Sequence, residues 1–215
     1  MLPSLYAIMD ADLLQTPELA CAELLAESGV ELIQYRNKRI SSGSCLQISQ
    51  ALVAQLSPRG ARLVVNDRPD IAALAGAYGV HVGQEDLSPE QARAVCGRDS
   101  CVGVSTHTLE QVREAAASTA DYIAIGPIFT TATKSKADPV VGTEFIREAR
   151  RLTRKPLVAI GGITLERAEE VFRAGADSIA VARDLLGTGN PAQRAREFLA
   201  LAVRFREEGK EYRAG

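Results

Sequence analysis

Gln34, Arg36 and Lys38 occupy alternating positions in the run "QYRNK", so an extended backbone would place all three on one face. Two cations and an amide converging on one point suit a polyanion such as a diphosphate. An exposed strand end decorated with charge has the same pattern, and both readings are carried forward. Two acidic ends follow: Asn66 and Asp67 in "NDRPD", and Gln84, Glu85 and Asp86 in "GVHVGQED". Carboxylates on neighbouring strand ends can share a hard cation, and Mg²⁺ is usually held by one or two of them with substrate phosphates and water. The competing role is helix capping, which Asp67 or Asp70 fits before one helix and Asp86 or Ser88 before the next. Ser105 and His107 lie in "GVSTHT". Ser105 can donate to an anion, Thr108 reads as a helix N-cap, and His107 is either a general base or a helix-start residue. His81, between Val80 and Val82, should point inward and is given no catalytic role. Gly161-Gly162 before a helix start suits a phosphate held by backbone N–H groups.

The segment "GPIFTTATKSKADPVVG", Gly126 to Gly142, has neither helical nor strand periodicity. A loop of this length inside a compact domain calls for a use. No G-x-S-x-G elbow, Walker loop or H-E-x-x-H motif occurs. Anion donors and one acidic pair without a nucleophile point to charge neutralisation, as in metal-assisted departure of diphosphate.

Eight short apolar runs must position these residues: 4–10, 30–36, 61–67, 79–83, 100–105, 121–128, 156–163 and 177–183. Several are nearly continuous in Val and Ile, as strands buried on both faces should be. Amphipathic segments lie between them. One starts with Thr16 as N-cap and Pro17 at the first helical position and stops at Gly29; another runs from Ser88 to Gly97. Others start at Thr108 and Thr164, and the last covers about 191–205. Eight strand–helix units with no linker predict one domain over 1–215, an α/β fold closed as a (β/α)₈ TIM barrel. A doubly wound open sheet is the runner-up, weakened by a first strand–helix turn without glycine. In a barrel of this kind the site lies at the C-terminal strand ends, where the polar residues above collect.

Composition excludes other classes. The chain has 215 residues, is 46% hydrophobic and 24% charged, and carries a formal net charge of −2, so it lacks the basic footprint of a nucleic-acid binder. With no Trp, a base-stacking platform is also unsupported. No apolar run reaches the roughly 18 residues of a membrane span, and the first residues lack a basic signal-peptide region. Four cysteines without a C-x-x-C pair are expected to be reduced thiols of a cytoplasmic protein.

Taken together, "QYRNK", "NDRPDIA", "GVHVGQEDL", "GVSTHT", "GPIFTTATK" and "VAIGGI" resemble the thiamine-phosphate synthase family over about residues 4–200. The resemblance implies a TIM barrel and a transferase. Its reaction joins 4-amino-2-methyl-5-hydroxymethylpyrimidine diphosphate to a thiazole phosphate, or its carboxylated form, and releases diphosphate through a cation-like intermediate. It implies Gln34, Arg36, Lys38 and Asn66 on the diphosphate, Asp67 and Asp86 on Mg²⁺, and Ser105 near the pyrimidine amine and diphosphate. Thr131 and Thr133 would contact the thiazole phosphate, Lys134 the diphosphate, and Gly162 or Gly161 the second phosphate. Ser105 and Lys134 are the implied catalytic pair, and 129–142 becomes a mobile loop closing over both substrates. The chain departs from the family after strand 8, where Ala182, Arg183 and Asp184 stand in place of a serine-containing turn. Backbone N–H groups can still serve there, with Arg183 either adding a cation or turning away to Asp184. Two rivals share the barrel: a thiazole tautomerase and a non-catalytic thiazole-phosphate-binding regulator. The set Arg36, Lys38, Asp67, Asp86 and Lys134 argues against both. Oligomeric state and preferred thiazole form are left open.

Overall fold

The computed structural model describes residues 2–131 and 139–214, with 206–214 described by backbone alone. Eight strands form in chain order: β1 (Leu5–Asp10), β2 (Leu32–Arg36), β3 (Arg62–Asn66), β4 (Gly79–Val82), β5 (Cys101–Thr106), β6 (Tyr122–Ile125), β7 (Leu157–Ile160) and β8 (Ser178–Val181). All neighbours pair in parallel, and β8 returns to β1, closing the barrel. Seven of the expected apolar runs contain one of these strands, and β5 extends one residue past its run, to Thr106.

Helices follow the strands: α1 (Glu18–Glu27), α2 (Ser42–Leu56), α3 (Pro69–Ala75), α4 (Pro89–Cys96), α5 (Leu109–Ala117), α6 (Gly142–Leu152), α7 (Leu165–Arg173), the short α8 (Arg183–Leu186) and α9 (Pro191–Ala214). Local chemistry sets most boundaries. Ser88 accepts from the Gln91 N–H while the Gln91 side chain accepts from the Ser88 N–H, a reciprocal capping box, and Gly97 ends α4 at φ +97°. Thr108 caps α5 by accepting the Gln111 N–H, while the Gln111 side chain accepts from the His107 N–H. Thr164 is the N-cap residue of α7, as expected, without a side-chain cap bond. Two boundaries differ from expectation. Pro17, not Thr16, is the capping residue of α1, with no side-chain bond. The last helix continues to Ala214 rather than ending near Phe205.

Strand alternation sorts the core into two layers. Ile33, Tyr35, Val65, Val80 and Val104 point outward to the helices. Tyr6, Ile8, Leu32, Val64, Tyr122 and Val158 fill the barrel interior. Register then fixes what meets inside. His81 is opposite Gly103, and Gly103 is opposite Tyr122. A Cβ on Gly103 would lie 2.0 Å from the Tyr122 ring, so glycine makes the room for the phenol. Gly103→Ala should therefore cost about 1–3 kcal/mol by overpacking, read as a lower urea midpoint with an unchanged slope. A neutral result would mean that the Tyr122 ring is not pinned there.

Candidate active site at the C-terminal barrel mouth

A cavity of about 730 Å³ opens at the C-terminal ends of the strands. Its wall includes Gln34, Arg36, Asn66, Ser105, Thr131, Gly161, Gly162 and Arg183. Each of these residues was singled out from the sequence. They are brought together by strand alternation: Gln34 and Arg36 face in while Ile33 and Tyr35 face out.

Arg36 is held by Asp10, whose buried carboxylate lies 2.5 Å from the guanidinium. The register pairs these two residues directly across β1 and β2. Asp10 also accepts the Asp12 N–H. A buried carboxylate fixes the angle of the guanidinium and leaves its remaining donors for the cavity. Sequence reasoning passed over Asp10, although it carries the same signal as the others, a polar residue ending an apolar run.

Lys38, Asp67 and Asp86 do not lie on the wall of this cavity. They form a cluster beside it, continuous with Arg36 and Asn66 through the chain. Lys38 Nζ is 2.8 Å from an Asp67 oxygen. Asp67 is the one non-glycine residue at positive φ among the described residues, at +61°. Its N–H donates to the His81 carbonyl at 2.8 Å. This backbone departure, which costs of order 1 kcal/mol even where Asp tolerates it, turns the carboxylate towards β4. Asp86 meets it there and accepts from Gly83 N–H at 2.8 Å. Desolvation raises the Asp86 pKa, and the neighbouring Asp67 charge raises it further. Neither carboxylate caps a helix side chain to backbone: α3 has no such bond, and α4 uses Ser88. Two carboxylates forced together from adjacent strands have the oxygen-donor chemistry a hard cation takes. Among the described residues there is no group of three or more His, Cys, Asp or Glu placed for a metal.

Along the cavity floor a chain of side-chain hydrogen bonds crosses the barrel. Gln34 Nε2 donates to the Tyr6 hydroxyl at 2.7 Å, which lies 3.0 Å from the Tyr122 hydroxyl. Tyr122 is 3.0 Å from His81 Nδ1, and His81 Nε2 is 2.8 Å from Ser105 Oγ. The imidazole stacks on the Tyr122 ring at 5.6 Å. Burial pushes the Tyr6 and Tyr122 pKa values far up, so both phenols keep their protons. A buried donor left without an acceptor costs about 1–3 kcal/mol, enough to select one arrangement of these protons. The two tyrosines gave no sequence signal, since an apolar run accommodates Tyr as readily as Leu.

His107 lines the cavity and also ties two strand ends together. Its Nδ1 is 2.6 Å from the Gly126 carbonyl, and its backbone N–H donates to Gln111. Gln84 reaches across to the Ser105 carbonyl at 2.6 Å.

The other side of the mouth is built by the loops after β6 and β7. Ile128 N–H donates to Ile160 and Phe129 N–H to Gly161, extending the strand pairing past the strand ends. Gly161 and Gly162 have φ of +98° and +63°. A Cβ at Gly161 would lie 2.5 Å from Pro127, and one at Gly162 would lie 2.5 Å from the Thr130 carbonyl. The pair is thus required by loop packing as well as being open to the cavity. Arg167, which the sequence reading omitted, also lines the wall, donates to the Gly162 carbonyl and lies over the Phe129 ring. Asp184 accepts the Leu165 N–H and lies 3.7 Å from Arg194. Thr133 and Lys134 fall outside the described residues, as does the central part, 132–138, of the loop expected at 129–142. Among the described residues no helix is long and apolar enough to cross a membrane.

A family model described as thiamine monophosphate synthase matches residues 5–185. The chain is 52% identical over 205 residues to the thiamine-phosphate synthase of Koribacter versatilis, covering 93% of this chain and 96% of that one. It is 38% identical over 202 residues to the thiamine-phosphate synthase of Methanospirillum hungatei, covering 93% and 97%. The thiamine phosphate pyrophosphorylase of Pyrococcus furiosus superposes with a TM-score of 0.86 at 31% identity, covering 94% of this chain and 96% of that one. A 3-hexulose-6-phosphate synthase, at 19% identity and TM-score 0.68, shares the fold alone.

The ionised form of Asp86 opposes folding when no divalent cation is bound, because its folded pKa is raised. Its stabilising contribution is therefore full below the ordinary Asp range and fades as pH rises through the folded value. In chelator at neutral pH, Asp86→Asn should melt at or above the temperature of the parent, and the two curves should converge as pH falls. A lower melting temperature for the variant at neutral pH would contradict this placement.

Proposed function

Because this chain belongs to the thiamine-phosphate synthase family, we propose that its barrel mouth carries two anion subsites, one for each phosphorylated substrate of that transferase. The observation that carries the assignment is the side-by-side placement of Arg36, held by Asp10, with the Lys38–Asp67–Asp86 cluster. That edge takes the diphosphate of the pyrimidine substrate. Arg36, Lys38, Asn66 and Ser105 supply donors, and Gln34 presents its amide to the same wall. Lys134 completes the set from outside the described residues.

Asp67 and Asp86 would hold Mg²⁺, which when bound neutralises charge developing on the departing diphosphate. The donor set fits that ion: oxygen ligands, two of them carboxylates, with positions left for phosphate and water. The opposite edge, with Gly161, Gly162 and Arg183, takes the thiazole phosphate, joined by Thr131 and Thr133. Arg183 stands there as a cation where the resemblance implies a serine-containing turn.

Between the two edges the chain's task is geometric. The C–O bond to diphosphate breaks and a C–N bond to the thiazole nitrogen forms. No nucleophilic side chain is needed, because the pyrimidine amine can stabilise the cation-like carbon between the two events. What the protein supplies is anion stabilisation on one side and a positioned nitrogen on the other. The segment 129–142 acts in this reading as a lid that keeps water from the reacting carbon. Its base is stapled by Phe129 N–H to Gly161 and by Val141 N–H to Pro127. Four buried, unbridged cysteines support a reducing, cytoplasmic setting.

A coupling assay tests the whole reading: pyrimidine diphosphate plus thiazole phosphate, with and without Mg²⁺, following thiamine phosphate and diphosphate together. Both products should appear only with the metal. Asp67→Ala should lower turnover about a hundredfold or more, the order seen when a preorganised charge is removed from a developing anion. It should also abolish Mg²⁺-dependent binding of diphosphate measured by calorimetry. Normal turnover in a folded Asp67→Ala protein removes the metal assignment. Lys134→Ala should lower turnover while leaving the melting temperature within a degree or so, because in this reading Lys134 acts on the substrate anion rather than in the core. Equal loss of both would make 129–142 a structural element.

A further inference from the structure

We propose that the buried chain Gln34–Tyr6–Tyr122–His81–Ser105 is a one-way hydrogen-bond relay that fixes the direction of the Ser105 hydroxyl, making it a donor into the cavity. The inference rests on the reading of Ser105 as a substrate contact, and deepens it by naming what orients that contact.

Donor counting sets the direction. The Gln34 amide nitrogen donates to the Tyr6 oxygen. Tyr6 carries one proton, and its remaining hydrogen-bond partner is the Tyr122 hydroxyl. That proton goes to the Tyr122 oxygen. The Tyr122 proton then goes to His81 Nδ1, which must accept. A neutral imidazole that accepts at Nδ1 carries its proton on Nε2, and Nε2 points at Ser105 Oγ, 2.8 Å away. Ser105 Oγ therefore receives a hydrogen bond from below. Its own proton is left for the cavity, where the diphosphate would lie. The opposite order would turn the Ser105 proton inward to Nε2 and leave the Tyr6 proton facing an amide N–H₂, with no acceptor.

Packing makes the order persist. Tyr6, Tyr122, His81 and Gln34 are all at most 6% exposed. The imidazole is stacked on the Tyr122 ring, and Gly103 leaves the gap that ring fills. Gln34 and Ser105 both line the cavity, while Tyr122 does not. Tyr6 and His81 also border the cavity, so the relay joins Gln34 to Ser105 along its floor, with Tyr122 as the member set behind the wall. His81 and Tyr122 act as positioning residues through Ser105.

The test reads the His81 tautomer by ¹⁵N NMR in the full-length protein. Only two histidines are present, so a His107→Gln spectrum assigns the signals. The wild type should show His81 with its proton on Nε2. Gln34→Glu replaces the terminal donor by an acceptor, so every bond should reverse and the proton should move to Nδ1, three hydrogen bonds away. A purely structural network would leave the tautomer where it was. A wild-type proton on Nδ1, or an unchanged tautomer in folded Gln34→Glu, overturns the relay. If Gln34→Glu does not fold, Tyr122→Phe serves: loss of the donor to Nδ1 should abolish the single-tautomer signal, and its persistence overturns the relay.

Kinetics separate this from the role of Ser105. Tyr122→Phe should lower kcat about tenfold, part of what a lost oriented donor costs, with KM for both substrates within about twofold. Unchanged kcat in Tyr122→Phe alongside a large loss in Ser105→Ala overturns the relay. If Ser105→Ala itself turns over normally, the substrate-contact reading fails, and the tautomer still decides the direction of the chain.

Discussion

A closed parallel barrel brings every second residue of every strand into one small interior, and any polar atom admitted there has to find its partner among the other strands. That constraint governs this molecule. Much of the interior is filled by apolar side chains such as Leu32, Val64 and Val158. Among them Tyr6, Tyr122, His81 and Gln34 satisfy one another in series. With orphaned buried donors costing about 1–3 kcal/mol each, the series is a condition of folding as well as a floor for the site. Glycines at Gly79 and Gly103 belong to the same solution, since a Cβ at either would run into Cys101 or Tyr122.

Charge is distributed by the same geometry. Asp10 is buried and Arg36 is partly so, and their register makes them neighbours across β1 and β2. The pair fixes a cation at the cavity wall, and such fixed donors act on a substrate anion without reorganising. One strand further round, Asp67 and Asp86 are pressed together, with Lys38 against Asp67. The mouth therefore alternates positive and negative edges over a short arc, an arrangement suited to an anion and a hard cation bound side by side. Arg167 and Arg183 bring cations to the opposite edge, where Asp184 also lines the wall.

The glycine pair after β7 shows why a motif can carry two meanings. Positive φ and the close approach of Pro127 and the Thr130 carbonyl demand glycine at Gly161 and Gly162 whether or not a phosphate binds. The same absence of side chains leaves the backbone of both residues as part of the cavity wall. His107 also carries two meanings. Its Nδ1 contact with the Gly126 carbonyl ties the β5 and β6 ends together, and the same residue lines the cavity.

The amino-acid sequence by itself determined the eight strands, most helix boundaries and the face on which Gln34, Arg36, Asn66 and Ser105 lie, because these depend on local periodicity and capping. A strand's alternation is written in its own residues, and Ser88 caps α4 through a partner three positions away. What only the tertiary structure decided are the pairings between strands distant in the chain. Asp10 becomes the partner of Arg36 through register alone, and Asp67 turns to Asp86 through a positive φ that an Asp does not advertise. Tyr6 and Tyr122 meet across the barrel though 116 residues separate them. Neither tyrosine differs in pattern from the apolar residues beside it; only closure of the barrel, which sets one hydroxyl against the other, makes them links in a chain.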